Sequence, residues 1–183
     1  MALSPTLWRT ARVLAGKTRL GLLRRIVQDP GESVSDLAEA LGLSRSRASQ
    51  ELRRLQSRGI VQASRDGVWL RYRPVPDPLV SSAKPILAAM EAVFARFPEA
   101  EDERTVRVAT AFSHARRLAI VRELRQGART AAELQQVPGM SEMAVYRHLG
   151  LLQEGDVVRR HGKTWRLEPW GHPLTLCLME LLR

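Results

Sequence analysis

Apolar positions in the first half of the chain recur at helical spacing and stop at recognisable punctuation. Leu7, Ala11, Leu14 and Ala15 mark a short amphipathic helix over residues 6–15. Leu20, Leu23, Ile26 and Val27 form the inward stripe of a second helix over 17–28, which Asp29-Pro30-Gly31 ends. Ser33 and Asp36 have the spacing of a capping box, in which each side chain bonds the other's backbone N–H. They open a third helix over 34–41 that turns Leu37, Ala38 and Leu41 inward, with Gly42 as its left-handed cap. Ser44 caps a fourth helix over 44–58, whose buried stripe is Ala48, Leu52 and Leu55. Gly59-Ile60-Val61 leads into a strand, and Arg65-Asp66-Gly67 is a hairpin signal before a second strand over 69–73. A longer helix is predicted over 83–97. There Ile86, Met90, Val93 and Phe97 step by 4, 3 and 4, the rhythm of a helix–helix seam, and Leu87 and Phe94 widen the stripe.

The second half repeats the first. Leu14 to Leu20 sits against Phe112 to Leu118, Ser33 to Leu37 against Thr130 to Leu134, and Leu43 to Leu52 against Met140 to Leu149. Asp77-Pro78-Leu79 sits against His172-Pro173-Leu174, so the offset drifts only from 98 to 95. A repeat this long is a domain, not one unit of a solenoid. Its second copy predicts a helix over 115–125, a capping box at Thr130 and Glu133, and two helices spanning 131–153, the later one capped by Ser141. Strands at 157–160 and 164–168 turn through Gly162, and a short helix closes the copy at 174–182. Two helices joined by a short glycine-bearing turn and followed by a hairpin make a winged helix-turn-helix. The expected fold is mainly α with small β-hairpin wings: tandem winged helix-turn-helix domains, each a three-helical bundle plus wing with extra terminal helices. The expected domains are 1–98 and 104–183, with an acidic linker at 99–103.

Charge adds to this picture. The net charge is +10, from 29 Lys and Arg against 19 Asp and Glu, and 26 of the basic residues are Arg. Basic chains without a membrane segment most often meet nucleic acid. Residues 1–98 carry net +8 and residues 99–183 net +2, so the first copy is expected to be the main DNA-binding half. The longest apolar stretches, such as Ile86 to Met90, are too short to span a bilayer, and no signal peptide is expected. One cysteine, Cys177, cannot form an internal disulfide, which suits a reducing cytoplasm and a place on the nucleoid.

The stretch Leu14 to Leu23, the segment Ser33 to Leu55, Arg58 to Val61 and the turn Asp66-Gly67 resemble the ArsR-type winged-helix transcription regulators. The second copy matches more loosely, through Ser141 to Leu152 and its wing. The resemblance implies double-stranded DNA as partner and pairing through terminal helices. That pairing is either a homodimer or an intramolecular pseudo-dimer of the two copies. Many members of the family sense metals. Here the first helix of the first helix-turn-helix offers Ser33, Val34, Ser35 and Asp36 without cysteine, the helix 83–97 offers only Glu91, and the four histidines are scattered. DNA binding is therefore expected without a metal site. No cofactor is expected, and any small-molecule effector stays unknown.

A recognition helix shows the outward residues of its first turns to base edges. In the first copy these are Arg45, Ser46, Arg47, Ser49 and Gln50, with Arg53 and Arg54 further along for phosphates. Arg grips guanine and Gln pairs with adenine through two hydrogen bonds each. The wing over 61–73 adds Arg65, Arg71 and Arg73 for the backbone or minor groove. The second copy offers Tyr146 and Arg147 on its helix, beside Glu142 and Met143, and Arg159, Arg160 and Lys163 on its wing. Trp8, Ile86, Met90, Val93, Phe94 and Phe97 are expected in dimer or inter-domain packing. The function expected is sequence-specific transcription regulation, as a repressor. The alternative is action in chromosome organisation or replication initiation, through protein partners or non-specific DNA binding. No catalytic site is expected: there is no nucleophile motif, phosphate-cradling glycine loop or paired carboxylate.

Overall fold

The computed structural model describes residues 6–136 and 139–183. Met1–Pro5, at the start of the expected first domain, lie outside the described residues. So do Val137 and Pro138, in the turn of the second helix-turn-helix.

The helices follow the apolar periodicity closely. They are α1 (Leu7–Leu14), α2 (Lys17–Gln28), α3 (Val34–Ala40), α4 (Arg45–Gln56) and α5 (Ala83–Arg96), then a 3-10 turn at Glu99–Glu101. The second half holds α6 (Asp102–Phe112), α7 (Ala115–Arg125), α8 (Ala131–Leu134), α9 (Glu142–Glu154) and α10 (Pro173–Leu181). Both expected capping boxes form: Ser33 with Asp36 on α3, and Thr130 with Glu133 on α8. Ser44 accepts from the Arg47 N–H on α4, and Ser141 from the Ala144 N–H on α9.

Each wing is an antiparallel hairpin with a two-residue loop. β1 (Gln62–Asp66) pairs with β2 (Trp69–Arg73), ending on Asp66 opposite Trp69 around Gly67-Val68. β4 (Val158–His161) pairs with β5 (Thr164–Leu167), ending on His161 opposite Thr164 around Gly162-Lys163. In both, the first loop residue is a glycine at left-handed φ, 59° and 61°. That conformation lets the loop match the twist of the strands. A third strand, β3 (Arg129–Thr130), lies on β5, and in the first half its place is taken by the single bridge Ser33–Arg71.

The chain forms two compact units, but the boundary differs from the expected one. One unit is built on residues 16–103, the other on residues 7–15 and 104–183. So α1, expected with the first domain, belongs to the second unit, where Thr10, Ala11 and Leu14 are buried. The acidic segment 99–103, expected as a linker, belongs to the first unit. The reason is Arg24 on α2, which is buried and bonds the Asp102 carboxylate and the Phe97 carbonyl at 3.1 Å, with its guanidinium 4.5 Å over the Phe94 ring.

The change of boundary reverses the charge distribution. The first unit has 14 basic and 12 acidic residues, net +2; the second has 15 and 7, net +8. Net charge therefore does not mark the first unit as the DNA-binding half.

The α5 stripe is a packed surface. Ile86, Met90 and Val93 are fully buried and Phe94 is 8% exposed within the single chain. Trp8 and Phe97 are half-buried.

Candidate nucleic-acid interface

In the first unit, α4 is fixed from beneath and open above. Ala48, Leu52 and Leu55 bury its inner face as the periodicity predicted, but a fourth buried residue, Glu51, is charged. Its side chain is 3% exposed and takes three arginines: Arg19 of α2 at 2.8 Å, Arg47 at 3.1 Å and Arg54 at 3.0 Å. Burial opposes ionisation of this carboxyl. The bonds and charges of Arg19 and Arg54 outweigh it and hold its pKa below the usual value. Two arginines of the outward face, Arg47 and Arg54, are thus oriented by one buried anion on their own helix.

The other expected readers stand clear. Arg45, Ser46, Gln50 and Arg53 are exposed, and Ser49 is half-buried. On the wing, Arg65 and Arg73 are exposed. Arg71 is placed differently: its Nη1 donates to the Gly31 carbonyl at 2.7 Å and its Nε to Asp66 at 2.9 Å. It braces the wing against the turn between α2 and α3, a role its spacing alone did not reveal.

In the second unit the same scaffold carries other chemistry. On α9, Met143 is 78% and Tyr146 42% exposed, beside exposed Glu142 and Arg147. Position 148, the repeat partner of Glu51, is a histidine. His148 is 5% exposed, and neither ring nitrogen has a hydrogen-bond partner among the described residues. Its ring lies 5.0 Å from that of His114, the residue capping α7. Burial, then His114 and the cations Arg117, Arg147 and Arg116, push its pKa down to about 4. The second wing presents Arg159, which pairs with Glu168 at 3.4 Å, Arg160, whose Nε donates to the Gly162 carbonyl at 3.0 Å, and exposed Lys163.

Residues 17–62 match the family of winged helix-turn-helix DNA-binding domains. Residues 112–161 match a helix-turn-helix domain family. A 62-residue stretch is 42% identical to a Halobacterium salinarum protein that bears the name arsenical resistance operon repressor ArsR2. The chain thus carries two helix-turn-helix domains, the first matched as a winged DNA-binding one. The match to that relative takes in 33% of this chain and spans about half, 52%, of the relative's length. Among solved structures, human N-acetylserotonin methyltransferase with SAM aligns at TM-score 0.35 and 19% identity, over 80% of this chain and 40% of that one. A likeness that low carries no argument.

Two features of this tandem helix-turn-helix chain were hidden from spacing. A lone Glu among arginines reads as an ordinary exposed charge, yet Glu51 falls at i+3 from Ala48 and shares its buried face. His148 falls on the corresponding face of α9. Cys177, half-buried on α10, has its thiol pushed up to about 11 by burial, which leaves it a poor thiolate. Among the described residues no three His, Cys, Asp or Glu side chains gather as metal ligands would, and no helix is long and apolar enough to cross a membrane.

Proposed function

We propose that the chain is a sequence-specific double-stranded-DNA-binding transcription regulator that acts as a repressor on the cytoplasmic nucleoid. The observation that carries this reading is the outer face of α4. Arg45, Gln50 and Arg53 stand exposed, and Arg47 is held by Glu51 with 59% of its side chain still open. Arg and Gln are the residue types that make two hydrogen bonds to a base edge, and an oriented guanidinium loses less freedom on binding. In this reading α4 enters the major groove, and Arg54, Arg65 and Arg73 meet phosphates or the minor groove. The second unit, with net +8, supplies sequence-independent contact through Arg147, Arg159, Arg160 and Lys163, with Tyr146 packing against the duplex.

Titration of Arg47→Ala on a duplex enriched from a random pool tests this. The expected result is a loss of about 1–3 kcal/mol in affinity and a relaxed preference at one base pair. Unchanged affinity and preference would refute the assignment. A second reading, action through a protein partner, draws on the exposed Met143 and Tyr146 of α9. It would be favoured if the full chain enriched no duplex sequence.

A further inference from the structure

The tips of the two wings have the same backbone and opposite chemistry. The second loop residue is Val68 in the first wing and Lys163 in the second; the first strand residue after it is Trp69 and Thr164 respectively. The second wing shows that this loop folds with polar residues after its glycine. The apolar pair in the first wing is therefore not required by the turn. Val68 is 88% exposed and Trp69 46%, and with half-buried Leu70 they form an apolar edge at the end of the hairpin. An exposed valine and tryptophan at a loop that also folds with polar residues leave apolar area uncovered and suit a contact.

The surroundings of the edge name the partner. Trp69, Arg71 and Arg73 alternate on β2 and so share one face of the ribbon with Asp66, whose charge Arg71 pairs at 2.9 Å, and exposed Arg65 lies on the other face. An apolar tip on a basic stem fits a polyanion with an apolar interior, which is what stacked base pairs inside a phosphate backbone present. The stem is also braced. Arg71 ties the strand end at Asp66 to the Gly31 carbonyl, and the Ser33–Arg71 bridge joins the wing to the start of α3. A hairpin so held can push against a duplex without folding back.

We infer that Val68 and Trp69 form a wedge that enters the minor groove beside the α4 site, opens a base step and bends the duplex. Apolar side chains inserted between base steps unstack them and kink DNA toward the major groove. Bending favours steps that deform easily, so the wedge adds sequence preference at positions where no hydrogen bond is read. The inference rests on the DNA-binding reading above.

The test compares the full chain with Val68→Lys/Trp69→Thr, which installs the residues the second wing already carries. Each is bound to the duplex enriched from a random pool, labelled at its ends for energy transfer. In a second series 2-aminopurine is placed at successive positions. With the native wing the ends should draw together and one 2-aminopurine position should brighten as its step unstacks. With the exchanged wing both signals should vanish even at protein concentrations that saturate the duplex. Trp69→Ala alone should weaken binding about fivefold or more. Equal bending and brightening by both proteins would overturn the wedge, as would a native chain that binds the duplex without bending it. Both of those outcomes leave DNA binding standing. A native chain that binds no duplex removes the DNA reading and the wedge with it.

Discussion

Position 51 in the first unit and position 148 in the second occupy the same place in the repeat and do opposite things. Glu51 is a buried anion that gathers Arg19, Arg47 and Arg54. His148 is buried with no hydrogen-bond partner among the described residues, next to His114 and near Arg116, Arg117 and Arg147. The arginine equivalent to Arg19 is Arg117, and without a carboxylate opposite it turns elsewhere. It bonds the Ala111 and Thr110 carbonyls at 2.8 and 2.7 Å and the Ser113 hydroxyl at 2.9 Å. The exchange at this position goes with others on the same helix: Arg45, Ser46, Arg47, Ser49 and Gln50 of the first copy stand where the second has Glu142, Met143, Ala144, Tyr146 and Arg147. What the units share is the scaffold; what differs is where charge is organised. The unit with the lower net charge has the more ordered basic helix, which is why net charge and reading face should be kept apart.

The largest expected effect comes from removing the anion. Glu51→Ala takes from Arg19, whose side chain is only 18% exposed, its carboxylate partner, while Arg47 and Arg54 can turn to solvent. The loss of stability should be about 2–3 kcal/mol in a denaturant titration, since a buried carboxylate bonded to three arginines is removed. A loss under about 0.5 kcal/mol would show that Glu51 does not hold the helix. Glu51→Gln should also weaken DNA binding, because Arg47 and Arg54 lose their orientation.

His148 should make the second unit sensitive to acid. Its folded pKa, about 4, lies below the ordinary 6.5, so the fold keeps the ring neutral and the unfolded chain takes up the proton first. Stability from this residue is complete above pH 6.5 and is lost as the pH falls from there toward 4. The total is on the order of 3 kcal/mol. Stability measured across this range should fall for the native chain and flatten for His148→Leu. Parallel curves would contradict it. Glu51 acts lower on the scale: its folded pKa is depressed, so its contribution stands above the ordinary carboxylate pKa and disappears as pH drops through the folded value.

The smallest effect sharpens the division of labour between the units. Lys163→Ala removes an exposed cation at the second wing tip. It should lower the slope of log affinity against log salt by about one unit and leave base preference unchanged. A changed preference would mean that the second wing reads sequence.

Much of the architecture was legible in the sequence because local chemistry decides it. Ser33 with Asp36, Thr130 with Glu133, Gly67 and Gly162 each act within a few residues, and each does what its spacing predicted. What spacing missed depends on distant partners. Val27 was expected inside and is half-buried, while Leu22 and Arg24 are buried. Arg24 is accommodated only because Asp102, 78 residues on, meets it. The same long-range pair moved the acidic segment 99–103 out of the linker and into the first unit. The spacing of the α5 stripe marked side chains that are buried, but periodicity cannot say what covers them. For the interface, the identity of the outward residues on α4 was readable, whereas the bracing of Arg71 and the buried Glu51 needed the fold.

The most direct test of the central claim, that α4 reads sequence while the second unit contributes charge, is one titration series. Duplexes enriched from a random pool, and the same duplexes with single base-pair changes, would be titrated at two salt concentrations. The proteins would be the native chain, Arg45→Ala/Gln50→Ala on α4, and Arg147→Ala/Lys163→Ala in the second unit. The expected result is that the α4 variant loses the preference at the base pairs those two residues read, while the second-unit variant keeps the native preference and loses about two units of salt slope. If the α4 variant keeps its preference and the second-unit variant loses it, the reading helix is α9 and the account is wrong.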